Sequence, residues 1–390
     1  MRRILLLSIF VSFNGLADSV LPNSKNLNVK AQLGQKLFFD TNLSEPAGQA
    51  CSSCHNPDFA FTDSDKSQPT SKGVNPEFHG NRNAPTAMYM AHSPVFYFDR
   101  AEGIYKGGQF FDGRAATLED QAKGPFLNPI EMGNPNAETV VEKVKVASYA
   151  EEFNAIYGSG ALNDSTQAYN YIANAIAEFE RSPVFNRFSS KYDFYLFGKA
   201  TFTAQERRGL AVFEGKGNCV ACHSNRPIKD TPPLFTDFSY DNIGVPKNAE
   251  SLFYSMPSKF NPAGAKFVDL GLGGHLNIFK DDGKFKVPTL RNIALTSPYT
   301  HNGYFKELRN VVEFYNTRNI KRHCANPLTN ETESLAQKCW AIPEVTQNVN
   351  FNELGNLKLS SRDIDDLVAF LETLTDGYGQ NSPWYLKNEN

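Results

Sequence analysis

The sequence predicts a mainly α-helical protein in which one small helical unit occurs twice, with long irregular chain around the copies. Three observations predict it. First, "AQLGQKLFFD" leads into "CSSCH", and "ERRGLAVFEGKGN" leads into "CVACH". Each copy is a short helix ending in aromatics, a loop, then two cysteines and a histidine. Second, two amphipathic stretches are suited to close those units. "STQAYNYIANAIAEFERS" places Tyr169, Ile172, Ala173, Ile176 and Phe179 on one face. "SSRDIDDLVAFLETL" does the same with Ile364, Leu367, Val368, Leu371 and Leu374. Third, stretches 65–100 and 225–288 are rich in Pro, Gly and Asn and read as irregular chain that wraps a buried group instead of forming sheets. Helix starts are legible too. Thr203 and Glu206 form a capping box, and Ser360 with Asp363 caps the last helix.

The chain has 390 residues, which predicts two domains or three. Hydrophobic residues make up 41% and charged residues 21%, an ordinary globular composition. A formal net charge of −3 gives no electrostatic case for nucleic-acid binding. The N-terminal "MRRILLLSIFVSFNGLA" has two arginines, a short apolar run, then small residues. That predicts a signal peptide over residues 1–17, and hence export to the periplasm. No later apolar segment is long enough to cross a membrane, so no stable insertion is expected.

The 6 cysteines sort themselves. A Cys-x-x-Cys-His run is the pattern that tethers a c-type haem. Cys51 and Cys54 would bond one porphyrin and His55 would cover one face of its iron; Cys219, Cys222 and His223 would do so for a second. A zinc site is the competing reading, but the further ligand pairs that tetrahedral zinc needs are missing. The expected fold is therefore two cytochrome c-like helical domains, each with one covalent haem: an N-terminal domain over 18–195 and a C-terminal one over 196–390. A polar linker over roughly 186–202 is expected between them. Cys324 and Cys339 remain, and in an oxidising compartment they are expected to form a disulfide.

Each iron has a second face. Histidines left to cover it are His79, His92, His275, His301 and His323; methionines are Met88, Met90, Met132 and Met256; there are 16 tyrosines. Composition does not choose among them.

Longer motifs narrow the choice. "LGQKLFFDTNLS", "CSSCHNPDFAFTD", "RNAPT", "FFDGRAATLEDQAKGPFLNPIEM", "FKVPTLRNIALTSPYTHNG" and "VVEFYN" together resemble the bacterial di-haem cytochrome c peroxidase superfamily, from about residue 30 to 376. Classical members place a methionine fourteen residues after the histidine of "PYxHxG"; the MauG-like branch places a tyrosine there. Here that position, counted from His301, is Tyr315. The resemblance thus implies His223 and Tyr315 as the two ligands of the second haem iron. Methionine sulfur raises a haem potential. A hard, anionic phenolate should lower it and suit a centre that stores an oxidising equivalent.

Further roles follow from the same resemblance. Gln121, Pro125 and Glu131 would lie over the open face of the His55 haem, with Glu131 moving a proton between the oxygens of bound peroxide. Classical members block that face with a loop histidine about eight residues before "RNxPT". Asn75 stands there, and His79 reads as a loop residue, so the site is expected to be permanently open. A calcium ion would lie between the haems, held by the side chain of Asn83 and the carbonyls of Thr296 and Pro298. The family's "FWDGRA" carries a tryptophan between the haems, where this chain has Phe111. A phenyl ring is much harder to oxidise than indole. Trp340 and Trp384 fall elsewhere.

The implied function is peroxide-driven oxidation of aromatic side chains, tryptophan above all, on a partner protein. Relatives of the branch serve amine-dehydrogenase maturation and copper homeostasis. The alternatives are a peroxidase fed by a small cytochrome and a non-catalytic electron carrier.

Overall fold

The computed structural model describes residues 27–379 and 381–383; the signal-peptide reading and Trp384 lie outside them. The fold is mainly helical. Its first half holds α1 (Val29–Phe39), α2 (Cys51–Cys54), α3 (Leu118–Leu127), α4 (Ala137–Lys145), α5 (Ala150–Tyr157) and α6 (Ser165–Glu180). Its second half holds α7 (Lys191–Leu196), α8 (Ala204–Glu214), α9 (Gly271–Leu276), α10 (Leu308–Thr317), α11 (Glu331–Ala336) and α12 (Ser361–Glu372).

In each half the helix that leads into the haem motif packs against a later amphipathic helix, as the amphipathic faces require. α1 meets α6, and α8 meets α12. Asn28 caps α1, Asp164 caps α6, and the Thr203–Glu206 and Ser360–Asp363 boxes start α8 and α12. Both crossings depend on a glycine. A Cβ on Gly34 would come within 1.9 Å of the Ala175 carbonyl oxygen, and one on Gly209 within 1.9 Å of that of Asp366. No other residue allows backbones to approach so closely.

The first core gathers Leu33, Phe38, Phe61, Ile172, Phe179 and Phe185 with Leu234 and Phe238 from the second half. The second gathers Phe213, Phe235, Ile364, Leu367 and Phe370. Two expectations need correction. Residues 186–202 are not a polar linker: they contain α7, and Phe188, Tyr192 and Phe202 are buried. Asp193 is fully buried there and forms a bidentate pair with Arg291 at 2.9 and 3.0 Å. The segment reads as polar because its acid is matched only by a cation about a hundred residues away. The irregular stretches also hold short strands. β1 (Tyr97–Asp99) pairs antiparallel with β2 (Ile104–Lys106), turning through Gly103, and β3 (Tyr240–Asp241) pairs with β4 (Phe285–Lys286).

Cys324 and Cys339 are bonded, with Cα atoms 5.1 Å apart, as expected. Among the described residues no helix is long and apolar enough to cross a membrane.

Candidate functional site

The two Cys-x-x-Cys-His runs line two adjacent cavities. One, of about 260 Å³, is walled by Cys51, Cys54 and His55. The other, of about 200 Å³, is walled by Cys219, Cys222 and His223. The four cysteines carry no disulfide, and burial pushes their thiols up to about 12.

Each histidine is aimed by the same device. His55 Nδ1 lies 2.9 Å from the Phe61 carbonyl oxygen, and His223 Nδ1 lies 2.8 Å from that of Phe235. With Nδ1 donating, Nε2 keeps its lone pair for a metal. Burial also lowers both imidazole pKa values and keeps the rings neutral. The accepting phenylalanines have φ of +54° and +55°, an uncommon backbone region that turns the carbonyl toward the ring.

Paired threonine clamps hold that turn. Thr62 Oγ1 donates to the Ala84 carbonyl at 2.6 Å and Thr86 Oγ1 to that of Ala60 at 2.5 Å. In the other half Thr236 Oγ1 donates to Val287 at 2.7 Å and Thr289 Oγ1 to Leu234 at 2.6 Å. The signal was present in the sequence as "FT" after each haem motif and as "APT" and "VPT" further on. It is weak before the fold shows the reciprocal bonds.

A second repeat shapes the opposite side. Gln109 bridges Ala115 around Gly113, and Tyr299 bridges Phe305 around Gly303. Both glycines have positive φ, as do Phe110 and Thr300. Each turn leads into a ten-residue helix, α3 in one case and α10 in the other. In this register Phe111 matches His301, and Pro125 on α3 matches Tyr315 on α10.

Gln121, Pro125 and Glu131 all line the His55 cavity, and Tyr315 lines the His223 cavity. Glu131 accepts from Asn128 Nδ2 at 2.8 Å, and burial raises its pKa above the ordinary glutamate value. Burial likewise pushes the Tyr315 phenol well up. A metal bound there must therefore displace a firmly held proton. Of the rival ligands, His301 lines the second cavity. Its ring stacks on Phe285 at 3.5 Å, and its buried Nε2 has no hydrogen-bond partner. Met90 and Met132 line the first cavity. His79 lines neither; it is buried in its loop with Nδ1 3.2 Å from the Thr70 carbonyl oxygen.

Phe111 lines both cavities, between them. Asn83, Thr296 and Pro298 line the His55 cavity, where Asn83 Nδ2 donates to the Pro298 carbonyl at 2.5 Å. The Lys66 ammonium bonds the Ser297 carbonyl beside them. Sequence reasoning missed three wall residues of the first cavity or its boundary: Arg114, whose guanidinium lies 3.6 Å from the Phe110 ring centre; Glu180, pushed up to about 8 by burial; and Lys286.

Two such cavities side by side define a di-haem c-type oxidoreductase. The family profile of di-haem cytochrome c peroxidase matches residues 28–201. The methylamine utilisation protein MauG of Paracoccus denitrificans is 40% identical over 95% of this chain and 94% of its own. A cytochrome c551 peroxidase of Nitrosomonas europaea is 35% identical over 73% of this chain and 71% of its own. The crystal structure of the di-haem peroxidase BthA of Burkholderia thailandensis superposes with a TM-score of 0.76 at 31% identity, covering 92% of this chain and 87% of that one. The chain belongs to the di-haem cytochrome c peroxidase and MauG family, and its cofactors are two c-type haems.

Proposed function

We propose that this is a MauG-like, periplasmic enzyme that spends hydrogen peroxide on the oxidation of aromatic side chains, tryptophan foremost, of a partner protein. The observation that carries this reading is Tyr315, which faces the same cavity as His223. Its two haem units are the two halves of the helical fold, the second beginning with α7 (Lys191–Leu196), whose Tyr192 packs in the second core.

When bound, the two haems would supply the redox capacity for reducing peroxide. The chain's own residues do the rest. His55, anchored on Phe61, would hold one iron, and the Pro125 side chain in the same cavity offers no donor atom to it. Glu131 in its carboxylate form takes the proton from the near oxygen of peroxide and returns it to the far one. Gln121 orients the same molecule. His223 and Tyr315, which line the same cavity, would both hold the second iron and so keep peroxide from it. Asn83, Thr296 and Pro298 supply oxygen donors for a calcium ion between the units. In sum, H2O2, two protons and two electrons give two waters, and the electrons leave the partner's side chains one at a time. The partner need not enter either cavity.

Electron donation by a small cytochrome is the second reading, favoured by the 35% identical cytochrome c551 peroxidase. Peroxide turnover with and without a reduced cytochrome c separates the two. The first reading expects slow peroxide consumption that the cytochrome does not accelerate. Rapid turnover that consumes two reduced cytochromes per peroxide overturns it.

A further inference from the structure

Among the described residues Lys286, in β4, is the one lysine or arginine in the wall of the His223 cavity, and it lines the His55 cavity as well. Four carboxylates line the first of these, from Asp241, Asp269, Glu344 and Glu353. The other cations in either wall already have partners. Arg82 holds Asp112 at 2.7 Å and Asp269 at 2.7 Å, Arg114 holds Asp112 at 2.9 Å, and Lys72 faces Asp65 at 3.6 Å. Lys286 has no carboxylate within ion-pair distance among the described residues. Its Nζ makes one hydrogen bond, to the Gly108 carbonyl at 2.6 Å, although an ammonium carries three donors. Its backbone N–H donates to the Phe111 carbonyl at 2.8 Å, which ties it to the boundary between the cavities. Burial pushes its pKa down to about 7, only partly offset by the charge of Asp112.

A haem brings two propionate carboxylates, which are costly to bury unpaired. We infer that Lys286 is a shared counter-ion, binding haem carboxylate at the boundary between the two cavities so that one fixed charge sets the reduction equilibria of both irons. The inference rests on the haem sites proposed above, whose failure would appear as a haem count other than two and not as an unmoved potential.

Spectroelectrochemistry of the di-haem protein and its Lys286→Met variant tests it. Loss of a nearby positive charge disfavours the ferrous state. Both one-electron equilibria should shift about tenfold toward ferric, a fall of about 59 mV each. Lys286→Arg, which keeps the charge, should restore both. If neither equilibrium moves, or if the arginine behaves as the methionine does, the counter-ion role is wrong and Lys286 serves only to bond Gly108; if only one moves, the role is not shared. Where Lys286→Met fails to take up haem, resonance Raman on Lys286→Arg and the wild type supplies the answer. The propionate bending mode should shift between them, and an unchanged mode overturns the assignment.

Discussion

The two halves of this molecule hold the same device and finish it differently. Each aims a histidine from a positive-φ phenylalanine carbonyl, locks that turn with two threonines, and faces it with a glycine turn that starts a ten-residue helix. At one matched position on that helix the first half has Pro125 and the second has Tyr315. Proline has no donor atom to offer a metal, whereas tyrosine offers a phenol oxygen. The comparison teaches that, on the function proposed above, a single side chain on a duplicated scaffold would separate an open iron from a closed one. Fourteen residues earlier in each motif stand Phe111 and His301. Phe111 lines both cavities; His301 lines one of them, stacked on Phe285.

The sharpest way to break this comparison is to erase its key difference. In Tyr315→Phe the low-spin ferric signal of the second haem should vanish from the EPR spectrum and a second high-spin signal take its place. Persistence of the low-spin signal would assign the ligand to His301 instead. In Pro125→Tyr the first haem should in turn lose its fast reaction with peroxide, as followed by stopped-flow spectroscopy.

Next in size is the acid–base group of the open half. Glu131→Gln should lower kcat/KM for peroxide by about 10² to 10⁴. The wild-type profile has a definite sign. The carboxylate is the working form and burial raises its pKa, so activity should fall with decreasing pH at a midpoint above the usual 4.5. A profile that falls only below that value removes Glu131 from the role.

Smaller effects test whether the two scaffolds are equivalent. Gly34→Val and Gly209→Val each force a side chain into a carbonyl of the crossing helix. Each should cost at least about 1–3 kcal/mol in urea unfolding. A cost at only one of the two would show that the crossings do not bear equal weight. Smallest of all is Phe111→Trp, which should speed charge equilibration between the haems after peroxide addition without changing the resting spectra. Unchanged stopped-flow traces would show that position 111 carries no relay.

Much of the fold was legible because it is local. The Thr203–Glu206 and Ser360–Asp363 caps, the apolar stripe from Tyr169 to Phe179 and the haem motifs each lie within about five turns of chain, and the structure carries them as read. The supposed linker failed for the opposite reason. Asp193 reads as a surface acid until Arg291 reaches it across the fold. The threonine clamps were overlooked because each bond spans twenty-two to fifty-five residues, and each motif is only two or three letters long.

By itself, then, the sequence determined the two covalent attachment points, the helices that frame them and the tyrosine at a telling distance from His301, because thioether chemistry and helix capping act over a few residues. Only the tertiary structure decided that Pro125 and Tyr315 are counterparts, that Phe111 stands between the cavities, and that one unpaired ammonium at Lys286 touches both. Those facts depend on which distant segments share a wall, and burial makes an unpaired charge costly only once that wall has closed around it.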